Sequence, residues 1–129
     1  MALEYGSLLV EIDKLERILG DVERILKRAD IGRKLELVGL RRRLSAQMAS
    51  VRATGEAALP ATNGAELATE YRARFSTMVR AVALHQAGWP AVTINEEGEG
   101  YLESATAVAR TIRDFVTWTR LALAAVRRD

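Results

Sequence analysis

The sequence predicts an all-α protein folded as an antiparallel up-down-up-down four-helix bundle. Three observations carry that prediction. Apolar residues recur in steps of three and four along four long stretches. The two prolines, Pro60 and Pro90, both fall where those stretches break. Nothing alternates apolar with polar as a strand does, apart from the fragment 91–94, which is too short to found a sheet. The chain has 129 residues, enough for one domain, 1–129, with a core of its own. With 49% hydrophobic and 28% charged residues it has the composition of a globular domain rather than of a disordered one.

The first helix is read over 7–29. Leu8, Ile12, Leu15, Leu19, Val22 and Leu26 form an a/d seam, and Ile18 and Ile25 widen it. That stripe is broader than a monomer needs, which makes a homodimer through this helix an expectation. Asp13 with Arg17, and Glu23 with Lys27, stand at i,i+4 on the solvated side, and Gly32 marks the stop.

The second helix, 33–58, turns Leu37, Leu40, Leu44, Met48, Val51 and Ala58 inward. Its 40-44-48 step is a stutter that a bundle tolerates. Leu59 ends it, because a residue ahead of proline avoids the α region. Asn63 and Glu66 have capping-box spacing and open a third helix, 64–87, striped by Ala68, Tyr71, Phe75, Met78 and Val82. Gly88, Trp89 and Pro90 stop it.

The longest connection then runs from Trp89 to Gly100, with Thr93 and Glu96 spaced to cap a single turn. The fourth helix, 100–127, carries Leu102, Ala105, Ala109, Ile112, Val116, Thr119, Leu123 and Val126. Interior glycines cost about 1 kcal/mol each against alanine. Gly20, Gly39 and Gly55 are therefore read as marks of close helix crossings.

Composition excludes several functions. Without cysteine there are no disulfides, thiolate catalysis or Cys-based zinc sites, and a single histidine rules out His-rich metal centres. No metal or cofactor is expected. No Gly-rich phosphate loop and no Ser/His/Asp set occurs. No stretch reaches the roughly 20 apolar residues of a membrane span. The first ten residues have no base ahead of their short apolar run and carry Glu4, unlike a secretion signal, so a cytoplasmic location is the default. A net charge of +2 is too small to imply a polyanion partner. The 16 arginines against 3 lysines carry the bias of a GC-rich bacterial genome.

Four groups of residues are candidate sites. His85 is the one side chain that titrates near neutrality unperturbed. Phosphorelay domains are bundles of this size with a helical histidine, followed three and four residues later by lysine and glycine. Here Gly88 follows without a lysine, and the helix ends within a turn, so His85 reads first as a part-buried residue near a helix C-terminus. Arg41, Arg42 and Arg43, with Arg33, Lys34 and Arg52, make the second helix basic. Consecutive arginines fan around a helix, and no aromatic accompanies them, so a nucleic-acid surface is not expected. They are read as partners for acidic residues of the first helix and the long connection. Glu96, Glu97, Glu99 and Glu103 suit the start of the fourth helix through its dipole and lack the alternating ligands of a cation loop. Trp89 reads as a plug at one end of the bundle, and Trp118, just off the seam, as an edge residue that could anchor a partner.

The segment 75–123 contains His85-Gln86-Ala87-Gly88-Trp89-Pro90, Ile94, Tyr101 and an amphipathic helix with Phe115 and Trp118. It resembles the last two helices of hemerythrin-like four-helix bundle proteins. The histidine and carboxylate ligands of that family's di-iron site are missing, so the resemblance implies a shared scaffold without iron or oxygen chemistry. The expected function is non-enzymatic: binding another protein, or itself, as a regulator, adaptor or chaperone. The partner-binding candidates are Trp118, Trp89, Glu96, Glu97, Glu99, Arg41 and Arg42. The alternatives are phosphotransfer through His85 and a bundle enclosing an apolar ligand in a core cavity of several hundred Å3.

Overall fold

Apolar side chains spaced three and four apart leave water together only if the backbone is helical and the stripes face one another. The computed structural model, which describes residues 2–28, 32–59, 65–90 and 98–128, has this arrangement. Its helices are α1 (Ala2–Leu26), α2 (Arg33–Ala58), α3 (Ala65–Gly88) and α4 (Gly98–Arg128), with no strand among the described residues. Each helix packs beside two others: α1 against α2 and α4, and α3 against α4 and α2.

Every adjacent pair runs antiparallel, because partner numbers move in opposite directions along each seam. Glu11 meets Gln47 and Asp21 meets Arg43 between α1 and α2. Asp13 meets Arg120 and Glu23 meets Arg113 between α1 and α4. Arg74 lies on Trp118 and His85 on Ser104 between α3 and α4. Tyr71 meets Val51 between α2 and α3, and Arg41 of α2 meets Trp89 just past the end of α3.

The core has two parts. The larger includes Leu8, Ile12, Leu15 and Leu19 of α1, Met48 and Val51 of α2, Tyr71, Met78 and Val82 of α3, and Ile112, Val116 and Leu123 of α4. The smaller closes one end, with Ile25, Leu26, Leu37, Leu40, Tyr101 and Ala105, and Trp89 packed on it. Thr119 is wholly buried, and its hydroxyl donates to the Phe115 carbonyl at 2.8 Å, which satisfies it inside its own helix.

Several sequence expectations change. The first helix begins earlier and stops at Leu26, so Lys27 and Arg28 follow it, and Gly32 is the N-cap of α2 rather than the stop of α1. Asp13 and Glu23 bond across to α4 instead of along α1, because guanidinium groups reach them from the neighbouring helix. Leu102 is 41% exposed and its neighbour Tyr101 takes the core position, with Phe115 buried as well. Leu59 fills the core at the end of α2, where Ala58 is only half-buried.

The width of the α1 stripe is consumed inside the chain, since Ile18 and Ile25 are buried without any second copy. The motive for a homodimer through α1 is thereby removed. Of the three interior glycines only Gly55 marks a close crossing: a Cβ there would lie 2.4 Å from the edge and hydroxyl of Tyr71, whereas Gly20 and Gly39 face open space. Asn63 of the capping box, the fragment 91–94 and the turn 93–96 lie outside the described residues.

Candidate functional site

Three of the four seams carry several cross-helix contacts, although between α1 and α2 a groove of about 710 Å3 opens among Lys14, Arg17, Asp21, Arg24, Arg43 and Gln47. Arg120 bridges Asp13 at 2.5 Å and Glu16 at 2.8 Å, and Arg113 reaches Glu23 at 2.6 Å and Glu16 at 3.5 Å, lacing α1 to α4. The Gln47 amide donates to the Glu11 carbonyl at 2.9 Å and to its carboxylate at 3.1 Å, and Arg28 pairs with Glu36, holding α1 to α2. The α3–α4 seam is filled by rings. Phe115 sits 5.5 Å from Tyr71 and 5.8 Å from Phe75, and the Arg74 guanidinium lies 4.8 Å from the Trp118 centroid.

The α2–α3 packing is the least extensive of the four. It is tied at one end by the Tyr71 hydroxyl, which donates to the Val51 carbonyl at 2.9 Å, and by Arg72, which grips Glu56 bidentately at 3.1 Å. That hydrogen bond to Arg72 is also the main reason the Glu56 carboxyl is held below its ordinary range. At the other end Arg41 donates to the Trp89 carbonyl at 2.6 Å.

Beside the first of these ties a groove of about 490 Å3 opens to solvent. Tyr71, Phe75 and Val79 of α3 form its apolar wall, and Arg52 and Glu56 of α2 with Arg72, Ser76 and Arg80 of α3 line its rim. The first three repeat every four residues, the spacing of one helical ridge.

Beyond the Arg41 tie lies a second, smaller feature. A cavity of about 40 Å3 sits where the two core clusters meet, walled by Leu37, Leu40 and Leu44 of α2, Val82 of α3, and Ala105 and Ile112 of α4. Arg41 of α2, His85 and Gln86 of α3 and Tyr101 of α4 also line it. Ligand pockets occupy roughly 300–1,000 Å3, so the apolar-ligand reading is corrected: this cavity is too small.

His85 is half-buried on α3, with Nδ1 2.6 Å from the Ser104 hydroxyl of α4 and its ring 5.4 Å from that of Tyr101. Burial, and secondarily the Arg41 cation, lower its pKa to about 4, so the imidazole is neutral at pH 7. Tyr101 in turn carries Trp89 edge-on at 5.9 Å and the Arg33 guanidinium at 5.7 Å. This end of the bundle is therefore a stacked aromatic plug under two arginines. A His–Ser pair also occurs in nucleophilic catalysis, but there a third group orients the base. Here the further neighbours of His85 are an aromatic ring and a cation.

The sequence-derived candidates separate accordingly. Arg41, His85 and Trp89 converge at one end, with Arg41 half-buried and committed to Trp89. Trp118 is a half-buried edge residue under Arg74, and Arg42 is exposed. Glu96 and Glu97 lie outside the described residues, and Glu99 falls in the first turn of α4. Among the described residues no three side chains of metal-ligating type converge.

Sequence reasoning did not name Val79 or Arg80 and placed Phe75 in the α3 stripe, where it does pack against the core while also lining the groove. Their spacing carries no signal for a groove, and Gly55, read as a close crossing, marks only where α2 meets α3. Comparison of the chain with known protein families, with curated proteins and with solved structures gives no match.

Proposed function

We propose that this chain is a protein-binding four-helix bundle, a regulator, adaptor or chaperone in type, and that its binding face is the α2–α3 seam. One observation carries the reading: α2 and α3 pack least extensively of the four adjacent pairs, and the groove beside their Arg72–Glu56 tie has an apolar wall, whereas the groove between α1 and α2 is lined mainly by charged and polar side chains. Grooves between helices are a recurrent way to hold a partner's amphipathic helix.

A photo-crosslinking residue at Ser76, in the groove rim, is expected to give a discrete adduct in cells, and one at Thr106 on exposed α4 is not. Val79→Glu should abolish the Ser76 adduct without loss of helical circular dichroism. Equal capture at both positions, or none at Ser76, would remove the reading. An adduct of twice the chain's mass would identify a second copy as the partner.

Phosphotransfer through His85 is a second reading, supported by the Ser104 contact. In the tautomer whose Nδ1–H donates to Ser104, the neutral Nε2 keeps its lone pair for attack on a phosphoryl group. Incubation with a phosphorylated receiver domain should then give an acid-labile label that His85→Gln loses. An unlabelled wild-type chain would end this reading.

A further inference from the structure

We infer that the occupant of the α2–α3 groove is an acidic amphipathic helix supplied by a partner protein. The inference rests on the reading of this seam as a binding face and adds the chemistry of what fills it.

The groove's charge is the first argument. Three arginines, Arg52, Arg72 and Arg80, stand around it with a single carboxylate, Glu56. Glu56 is taken by Arg72 in a bidentate pair, whereas Arg52 and Arg80 close no ion pair among the described residues. On the α1–α4 seam the opposite holds, since Arg113 and Arg120 are each bridged to two acids. Arg80 of α3 and Arg52 of α2, which acts on Glu56 only through space, therefore leave positive charge on both walls. Carboxylates on both flanks of an inserted segment would meet it.

Shape is the second argument. Two antiparallel helices that pack sparsely leave an opening between them, and its apolar wall follows a four-residue step along α3. A helix with apolar residues at i, i+4 and i+7 presents the matching row, with its acidic flanks turned to the arginines. Nucleic acid fits less well. Stacking needs an accessible aromatic face, and Tyr71 is buried while Phe75 is covered by Phe115 on one side.

The test uses the full chain and three probes. One is a helical peptide of about five turns with leucine at i, i+4, i+7 and i+11 and glutamate on both flanks. The second replaces every glutamate by lysine, and the third is a thymidine oligonucleotide. Amide chemical shifts are expected to move on adding the first peptide, mainly in residues 45–56 and 71–83. The lysine peptide should move none of them. Arg52→Glu with Arg80→Glu, both at exposed positions, should weaken binding of the first peptide by about fivefold or more.

Equal binding of the two peptides, or the same shifts from the oligonucleotide alone, would overturn the assignment to an acidic helix. If the acidic peptide is silent while the Ser76 crosslink still captures a protein, the binding face stands and its acidic occupant does not. If both are silent, both readings fall.

Discussion

At Gly55 the α2 backbone lies so close to the Tyr71 ring that a β-carbon would come within 2.4 Å of the ring edge and hydroxyl. Gly55→Ala must push a rigid buried ring aside, and overpacking of that kind costs about 1–3 kcal/mol. Chemical denaturation should register the loss, while Gly39→Ala, which faces open space, should be neutral or stabilising. His85 gives a pH signature. Its folded pKa is about 4, below the ordinary 6.5, so on acidification the unfolded chain takes up a proton that the folded chain refuses. Stability therefore falls from near pH 6.5 towards pH 4. For a half-buried group the loss is about 1–2 kcal/mol by pH 5. His85→Gln should flatten the stability curve between pH 7 and pH 5, and an unchanged slope would contradict a neutral, sequestered imidazole.

The helices differ in what holds them. The arginine lacing between α1 and α4 is conspicuous, but its members are 36–59% exposed, and pairs in that setting contribute about 1 kcal/mol or less. Leu15, wholly buried, lies in the larger core cluster. Leu15→Ala is expected to cost about 2–5 kcal/mol, and Arg120→Met less than about 1 kcal/mol, in the same thermal or denaturant melts. The element pattern was legible in the sequence because burial writes itself as spacing: Leu8, Ile12, Leu15 and Leu19 are all in the core. What spacing could not show is which neighbour a flank faces. Asp13 has Arg17 one turn along its own helix, yet bonds to Arg120, far away in sequence. Tyr101 was overlooked in the core for a related reason: it stands beside Leu102 at the end of a helix, where the stripe is too short to choose between them.

For the molecule as a whole, the ring of helices and its antiparallel order follow from four long stripes and mostly short connections, both visible in the sequence. The groove was not visible. A loose seam differs from a tight one by the absence of contacts, and Phe75, Val79 and Arg80 have the same periodicity whether a neighbour covers them or not. His85 and Trp89 were flagged by chemistry alone, and only the fold shows that Tyr101, Arg33 and Arg41 assemble around them. Since Ile18 and Ile25 are buried within one chain, light scattering across a dilution series should find no dimer that depends on α1. Arg17→Glu, on the exposed face of α1, should leave the mass unchanged.

The central claim is that the bundle stands open between α2 and α3, and thiol reactivity tests it directly. The chain has no cysteine, so each single variant reports one position. Thr77→Cys samples the exposed side of α3, Val79→Cys the groove wall, and Val82→Cys the core. With an open seam, a thiol at 79 reacts with an aromatic disulfide reagent nearly as fast as one at 77, and far faster than one at 82. A thiol at 79 as slow as that at 82 would mean that α2 covers α3 along its length, and the groove would not exist.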